Sequence, residues 1–247
     1  MKTIFKNLIL PVFLCLSVFL WFSIFLPEYD FWDGRLISHG YATLQTHAVK
    51  DWFLSSGWFI QYFIIHLVFL IHQHFPVDPF FILKGISYIS LFGIAFESYL
   101  YSRTFFNLTS SESKFISIVV IVFPAWSALL SSVTFIYVLC AWLVLLGVRL
   151  VMTSKSSILI IIGSLLTLAS FQLNSNFLFS IGLSLSIVMA TCYTGNIKSF
   201  FASFYNFRLF SVFLLSFTSF GLLKVLFSPS GLYADYNQID NNIFNPL

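Results

Sequence analysis

Charge is the scarcest commodity in this chain. Only 9% of its 247 residues are Asp, Glu, Lys or Arg. A soluble domain carries about a quarter, so the composition excludes an ordinary water-soluble fold. Cysteine is scarce too. Cys15, Cys140 and Cys192 lie in apolar runs, far apart and without paired spacing. That excludes a disulfide framework or a cysteine zinc site. The 12 basic residues never gather into a patch suited to nucleic acid, which removes DNA and RNA from the partners. There is no internal repeat and no segment with the composition of a soluble domain.

What remains is hydrocarbon. Hydrophobic residues make up 59% of the chain, and Phe alone supplies 33. Apolar runs of near twenty residues recur along the length, which predicts an all-α, polytopic membrane protein. The first run covers 8–26, after Lys2 and Lys6. It is longer than a signal-peptide core and ends in Leu-Pro-Glu-Tyr, so it reads as a retained span with a cytoplasmic N-terminus. Later runs cover 79–102, 115–130, 133–152, 158–171, 176–193 and 209–227.

The stretch 53–75 is ambiguous. It is apolar but broken by Ser55, Ser56, Gly57, Gln61, His66, His72 and His74. Basic residues decide its reading. If it does not cross, Lys2, Lys6, Arg103, Lys114, Arg149, Lys155, Lys198 and Arg208 all fall near cytoplasmic ends. If it crosses, only Lys2 and Lys6 stay inside. The excess of Lys and Arg in cytoplasmic loops favours the first arrangement. The expectation is therefore a single membrane domain, 1–247, with seven transmembrane helices and a C-terminus outside. An outer loop with interfacial helices occupies 27–78, and an outer tail 228–247. The stretch 53–75 lies along the outer face or re-enters against protein. The Asn-Leu-Thr sequon at Asn107 is then cytoplasmic and carries no weight as a glycosylation site.

The outer loop is where ionisable chemistry concentrates. Its first part, 27–52, holds Glu28, Asp30, Asp33 and Asp51, four of the nine acidic residues. Ionisable groups are costly beside a bilayer, so such a cluster is a candidate functional site. The bland alternative is a solvated loop. A helix is predicted from about 34 to 52. Ile37, Tyr41, Leu44, Ala48 and Trp52 share one side, and His39, Thr43, Thr46 and Lys50 another, the pattern of a helix lying in the interface.

A carboxylate at that height can serve as general base toward an acceptor hydroxyl. A sugar carried on a lipid phosphate would sit at the same depth. Its departing phosphate needs a cation more than an acid. Arg35 is near in sequence, and Lys84 and Lys224 lie near outer ends of their spans, though ordinary snorkelling explains both lysines. His72, His74 and Asp78 have metal-ligand chemistry, but histidines two apart do not share a helix face. They read as interfacial histidines, and no metal is assigned. Glu97, near the inner end of its span and close to Arg103, reads as a structural pair with it or as part of a water-exposed helix end. Arg149 and Lys155 read as a cytoplasmic anchor.

The order Tyr29-Asp-Phe-Trp-Asp-Gly-Arg35, a helix reaching Lys50-Asp-Trp52, and a basic turn 103–114 resembles the GT-C superfamily of membrane glycosyltransferases in layout over roughly residues 1–150. That superfamily has a first span, an outer loop with a catalytic Asp, interfacial helices and a seven-span module. The resemblance implies an inverting, hexosyltransferase-type enzyme. It would move a sugar from a polyprenyl-phosphate donor to a glycan or lipid acceptor on the outer face of a bacterial inner membrane. By position Asp33 matches the catalytic Asp, with Asp30 the alternate. Arg35, His39, Lys84 and Lys224 are the candidate substrate contacts. Many members place a second Asp between the third and fourth spans. Here that turn reads Ser131-Ser-Val-Thr134, which counts against assistance by a divalent metal, the one cofactor the resemblance raises. A chain ending after the seventh span reads as a minimal or truncated member. The rival expectation is a non-catalytic membrane partner in polysaccharide or O-antigen assembly or export. A transporter ranks third, because its paired broken helices in two similar halves are not seen.

Overall fold

The computed structural model describes residues 14–18, 20–22, 46–56, 58–122, 134–171, 174–192 and 222. Among them the fold is all-helical, with no strand. Seven helices follow in order: α1 (Thr46–Ser55), α2 (Phe59–His74), α3 (Pro79–Thr104), α4 (Ser110–Ile121), α5 (Phe135–Thr153), α6 (Ser157–Ser170) and α7 (Asn174–Cys192). Residues 14–18 and 20–22, within the first predicted span, are also helical. The predicted segments 27–45, 193–221 and 223–247 lie outside the described residues.

Local chemistry sets the boundaries. The helix predicted to end near Trp52 runs on to Ser55. The hydroxyls of Ser55 and Ser56 both donate to the Trp52 carbonyl, at 3.0 and 2.7 Å, and close the last turn. α2 stops at Phe75, whose backbone is extended (φ −131°, ψ 137°). Pro76 follows, and the residue before proline is held out of the helical region. The Asp78 carboxylate then accepts from Phe80 N–H at 2.9 Å, with Pro79 in the first turn, so α3 starts on a side-chain cap. α4 starts on a complete capping box. Glu112 N–H donates to Thr109 Oγ1, and the Glu112 carboxylate accepts from Thr109 N–H. These bonds hold the Glu112 carboxyl below its ordinary value. This contribution is present above the usual Glu range and is lost as pH falls through the lowered one. Between α3 and α4, Asn107 adopts φ 53°. Asn tolerates this left-handed conformation better than most side chains, which gives the first residue of the sequon a backbone role.

Contacts advance together along α3 and α5. Leu83 shares a cluster with Phe135 and Ile136, Gly93 lies under Trp142, and Glu97 meets Arg149. The two helices therefore run in the same direction. α4 returns along α3, where the Ser117 hydroxyl donates to the Ala95 carbonyl at 2.7 Å. α6 returns along α5. The links 105–109 and 154–156 thus lie at one end of the bundle, with Arg103, Lys114, Arg149 and Lys155 beside them. The other end holds α1 and α2. Their Val49, Phe53, Ile65, Val68 and Phe69 pack on the first two turns of α3 and α5.

α3 and α5 are long and apolar enough to cross a membrane. The packing of α6 bears on this. Its buried residues are Gly163, Thr167 and Ser170, whereas Ile158, Ile161 and Leu165 are well over half exposed. In water this pattern is inside out; beside lipid, small residues at the interface let backbones approach and large ones face the tails. Gly147 of α5 meets that stripe. A Cβ added there would lie 2.3 Å from Thr167 Oγ1 and 2.6 Å from the Gly163 carbonyl oxygen. Gly147→Leu is expected to lose about 1–3 kcal/mol through overpacking, read as an earlier unfolding transition in detergent, whereas Leu165→Ala on the outward face changes it little.

Candidate functional site

Five of the six predicted site residues, Asp30, Asp33, Arg35, His39 and Lys224, lie outside the described residues. Lys84 is described. It sits in the second turn of α3 and is only 4% exposed. A snorkelling lysine leaves its ammonium in water, so that reading of Lys84 does not hold. Lys84 follows directly on Leu83, a member of the cluster that joins α1 and α2 to α3 and α5. Gln61 of α2, one turn before Ile65, is fully buried in the same region.

The histidines near this end are engaged locally. His72 Nδ1 lies 2.7 Å from the Val77 carbonyl oxygen, and His74 Nδ1 lies 3.0 Å from that of Leu70. Asp78 is used as the α3 cap. Among the described residues no group of three or more His, Cys, Asp or Glu side chains could hold a metal ion. Tyr62 and His66 stack on each other one turn apart, and Trp58 meets the edge of Tyr137 on α5.

The ionisable cluster that the described helices do assemble lies further along α3. Leu83, Ser87, Ser90, Ile94, Glu97 and Tyr101 are all buried and recur in steps of four and three. That spacing forms a seam, and it places Glu97 against α5. Arg149 Nε donates to Glu97 Oε2 at 2.5 Å and Arg149 Nη2 to Oε1 at 2.8 Å, a bidentate pair. One turn on, the Tyr101 hydroxyl donates to the Leu145 carbonyl at 2.7 Å. Both carboxylate oxygens of Glu97 are occupied, and its side chain is 2% exposed against 19% for Arg149. The group is therefore a clamp between helices rather than a base open to a substrate.

This corrects the expected partner of Glu97. Arg103 lies six residues on, about a third of a turn off the Glu97 face, and helix neighbours lie three or four apart. It instead donates to the Leu108 carbonyl at 2.7 Å and ties down the α3–α4 link. Arg149 is correspondingly no simple anchor. The signal for the pair was present in the chain. Glu97 and Arg149 are opposite charges inside apolar helices, seven and four residues before the respective helix ends, at similar depth.

No family model, curated protein or solved structure matches this chain.

Removing one partner of a buried pair leaves the other charge uncompensated and typically costs about 3–5 kcal/mol, whereas replacing both with apolar groups often costs little. Glu97→Gln and Arg149→Met are each expected to destabilise the helical domain by about that amount, and Glu97→Leu combined with Arg149→Met by much less. Reversible unfolding in mixed detergent micelles measures this cycle. Additive losses would show that the pair does not act as one unit.

Proposed function

We propose that the chain is a multi-pass membrane glycosyltransferase of the GT-C kind, moving a sugar from a polyprenyl-phosphate donor to a glycan or lipid acceptor outside a bacterial inner membrane. One observation carries the reading. α1 and α2, of 10 and 16 residues, pack over the first turns of the two span-length helices. They do so at the end opposite Arg103, Lys114, Arg149 and Lys155. Basic residues favour the cytoplasmic side. The short helices, and the acidic stretch 27–45 that precedes them in sequence, then belong to the outer face, where a lipid-borne donor presents its sugar.

In this reading the apolar exterior positions the protein against the donor's lipid tail. Asp33 takes the proton from the acceptor hydroxyl as the new glycosidic bond forms at the sugar's anomeric carbon. The bond from that carbon to the phosphate oxygen breaks, and the polyprenyl phosphate leaves with its electron pair. Inversion follows because attack comes from the face opposite the phosphate. Asp30 is the alternate base. Arg35 and the buried Lys84 supply positive charge on the phosphate side. His39 and Lys224 complete the proposed contacts.

The rival reading, a non-catalytic partner in surface-polysaccharide assembly, has its own support. The turn 131–134 carries no carboxylate, and the Glu97 carboxylate is fully committed to Arg149. Replacement of a general base typically lowers rate by about 10²–10⁴-fold. Asp33→Asn should therefore abolish measurable transfer from a purified lipid-linked sugar while leaving protein level unchanged. Full transfer by Asp33→Asn would reject Asp33 as the base. No turnover by the native chain with any lipid-linked sugar would favour the rival.

A further inference from the structure

Two ring contacts fix the course of α2. At its start Trp58 meets the edge of Tyr137, in the first turn of α5, with ring centroids 6.1 Å apart. Near its end Phe69 meets the edge of Phe80, in the first turn of α3, at 6.5 Å. The segment 58–69 is about 16 Å long. α3 and α5 begin at the same end of the bundle, so both ends of α2 lie at that end. A helix running back along α3 would instead carry Trp58 about 24 Å down the bundle, far from the start of α5. Nor does α2 rest on the helix tips. The cluster that holds its Ile65, Val68 and Phe69 takes Leu83 from α3 and Ile136 and Cys140 from α5, with Leu139 packed against it. These residues lie on the flanks of the first two turns.

The far side of α2 is apolar as well. Phe63, Leu67, Leu70 and Ile71 share a face opposite Ile65, Val68 and Phe69, and all four are exposed, Phe63 by 65%. Exposed apolar residues continue through Phe75 and Val77 to Phe81, and then along the outward face of α3 through Ile89 and Phe96. The exposed polar residues His72, Gln73 and His74 gather in the last turn.

We propose that α2 lies in the plane of the membrane, with Phe63, Leu67, Leu70 and Ile71 sunk into the lipid leaflet at that end of the bundle. A helix that is hydrophobic all round must be out of water on every side. Protein covers one side of α2. At the height of those first turns, beside two spans, the medium on the other side is lipid. The unbroken passage from this face onto the outward face of α3 selects lipid over a protein partner, since one medium then covers both. A helix in this position carries its apolar face about 5–10 Å into the boundary between headgroups and acyl chains. Of the arrangements open to the stretch 53–75, this is the one along a membrane face. The proposal rests on α3 and α5 crossing the membrane and is independent of any catalysis at Asp33.

The test measures depth by nitroxide labels on the full-length chain in phosphatidylcholine nanodiscs. Phe63→Cys, Leu67→Cys and Leu70→Cys carry the label in turn, and Phe81→Cys and Ile89→Cys serve as the comparison on α3. Cys15→Ala and Cys192→Ala remove competing thiols, and the buried Cys140 stays in place. All five labelled positions are exposed, so the packed faces are left intact. Collision with oxygen against collision with a water-soluble nickel chelate reports the depth of each label. The three α2 labels are expected to favour oxygen and to sit at one depth within a few ångströms, whereas Ile89 lies deeper than Phe81 by up to about 12 Å. A depth difference of about 10 Å between Phe63 and Leu70, the rise of a crossing helix, would overturn the proposal. So would collision mainly with nickel, which places the face in water, or labels reached by neither collider, which places it on protein. No depth difference between Phe81 and Ile89 would remove the span of α3 and with it the proposal. Carbene labelling of the unsubstituted chain from a lipid-borne diazirine repeats the measurement without any substitution. Labelled Phe63, Leu67 and Leu70 are expected there, and their absence would equally overturn the placement.

Discussion

In hydrocarbon, one apolar side chain gains nothing by leaving lipid for another, so helices must be joined by close backbone approach and by polar bonds. The described helices follow that constraint. α5 and α6 meet through Gly147, Gly163 and Thr167, with no room for a Cβ at either glycine. α3 and α4 meet through a Ser117 hydroxyl on the Ala95 carbonyl. α3 and α5 meet through Glu97 and Arg149. Large apolar residues fill the core clusters and also cover much of the outside. Ile158, Ile161, Leu165, Phe96 and Ile89 are all exposed, an apolar exterior of the kind that meets lipid or a partner.

The ion pair fixes more than contact. Two parallel helices lined by Leu, Val and Ser can slide by a turn with little change in packing. A bidentate carboxylate–guanidinium pair admits one register, and the Tyr101 hydroxyl on the Leu145 carbonyl repeats the choice one turn away. That register brings the starts of α3 and α5 level. Only then do Leu83, Phe135 and Ile136 form one floor for Phe53, Ile65 and Val68. The placement of the short helices, and with it the argument for an outer-face site, depends on a charge pair well over a helical turn away.

Much of the helix pattern was legible in the chain. The runs 79–102, 133–152, 158–171 and 176–193 became helices within two residues of the predicted ends, because long apolar periodicity is the strongest local signal. The break in 53–75 was legible less well. Ser55 and Ser56 were read as interruptions, but their hydroxyl bonds to Trp52 place the break after Ser55, not before Phe53. The run 115–130 was read without its start, although Thr109 and Glu112 carry the spacing of a capping box. Side-chain partners were least legible. Periodicity places Glu97 on a face but does not say which helix that face will meet, so the nearest cation in sequence was chosen over Arg149. Burial of Lys84 is hidden for the same reason, since it depends on what packs against that face of α3. Of the candidate site itself, the sequence shows the residue types and their order, while their mutual geometry depends on the path of 27–45.

The brevity of α6 has a consequence for the surrounding bilayer. Fourteen residues make a helix about 21 Å long, against roughly 30 Å of hydrocarbon in a typical membrane. In the multi-pass arrangement proposed above, its outward wall of Ile and Leu is too short for the tails beside it. The lipid there must pinch inward or the helix must draw its flanking serines below the headgroups, each at a modest cost per ångström of mismatch. A local dimple of that kind would shorten the distance between the two aqueous faces on one side of the protein, and would make the protein sensitive to acyl-chain length.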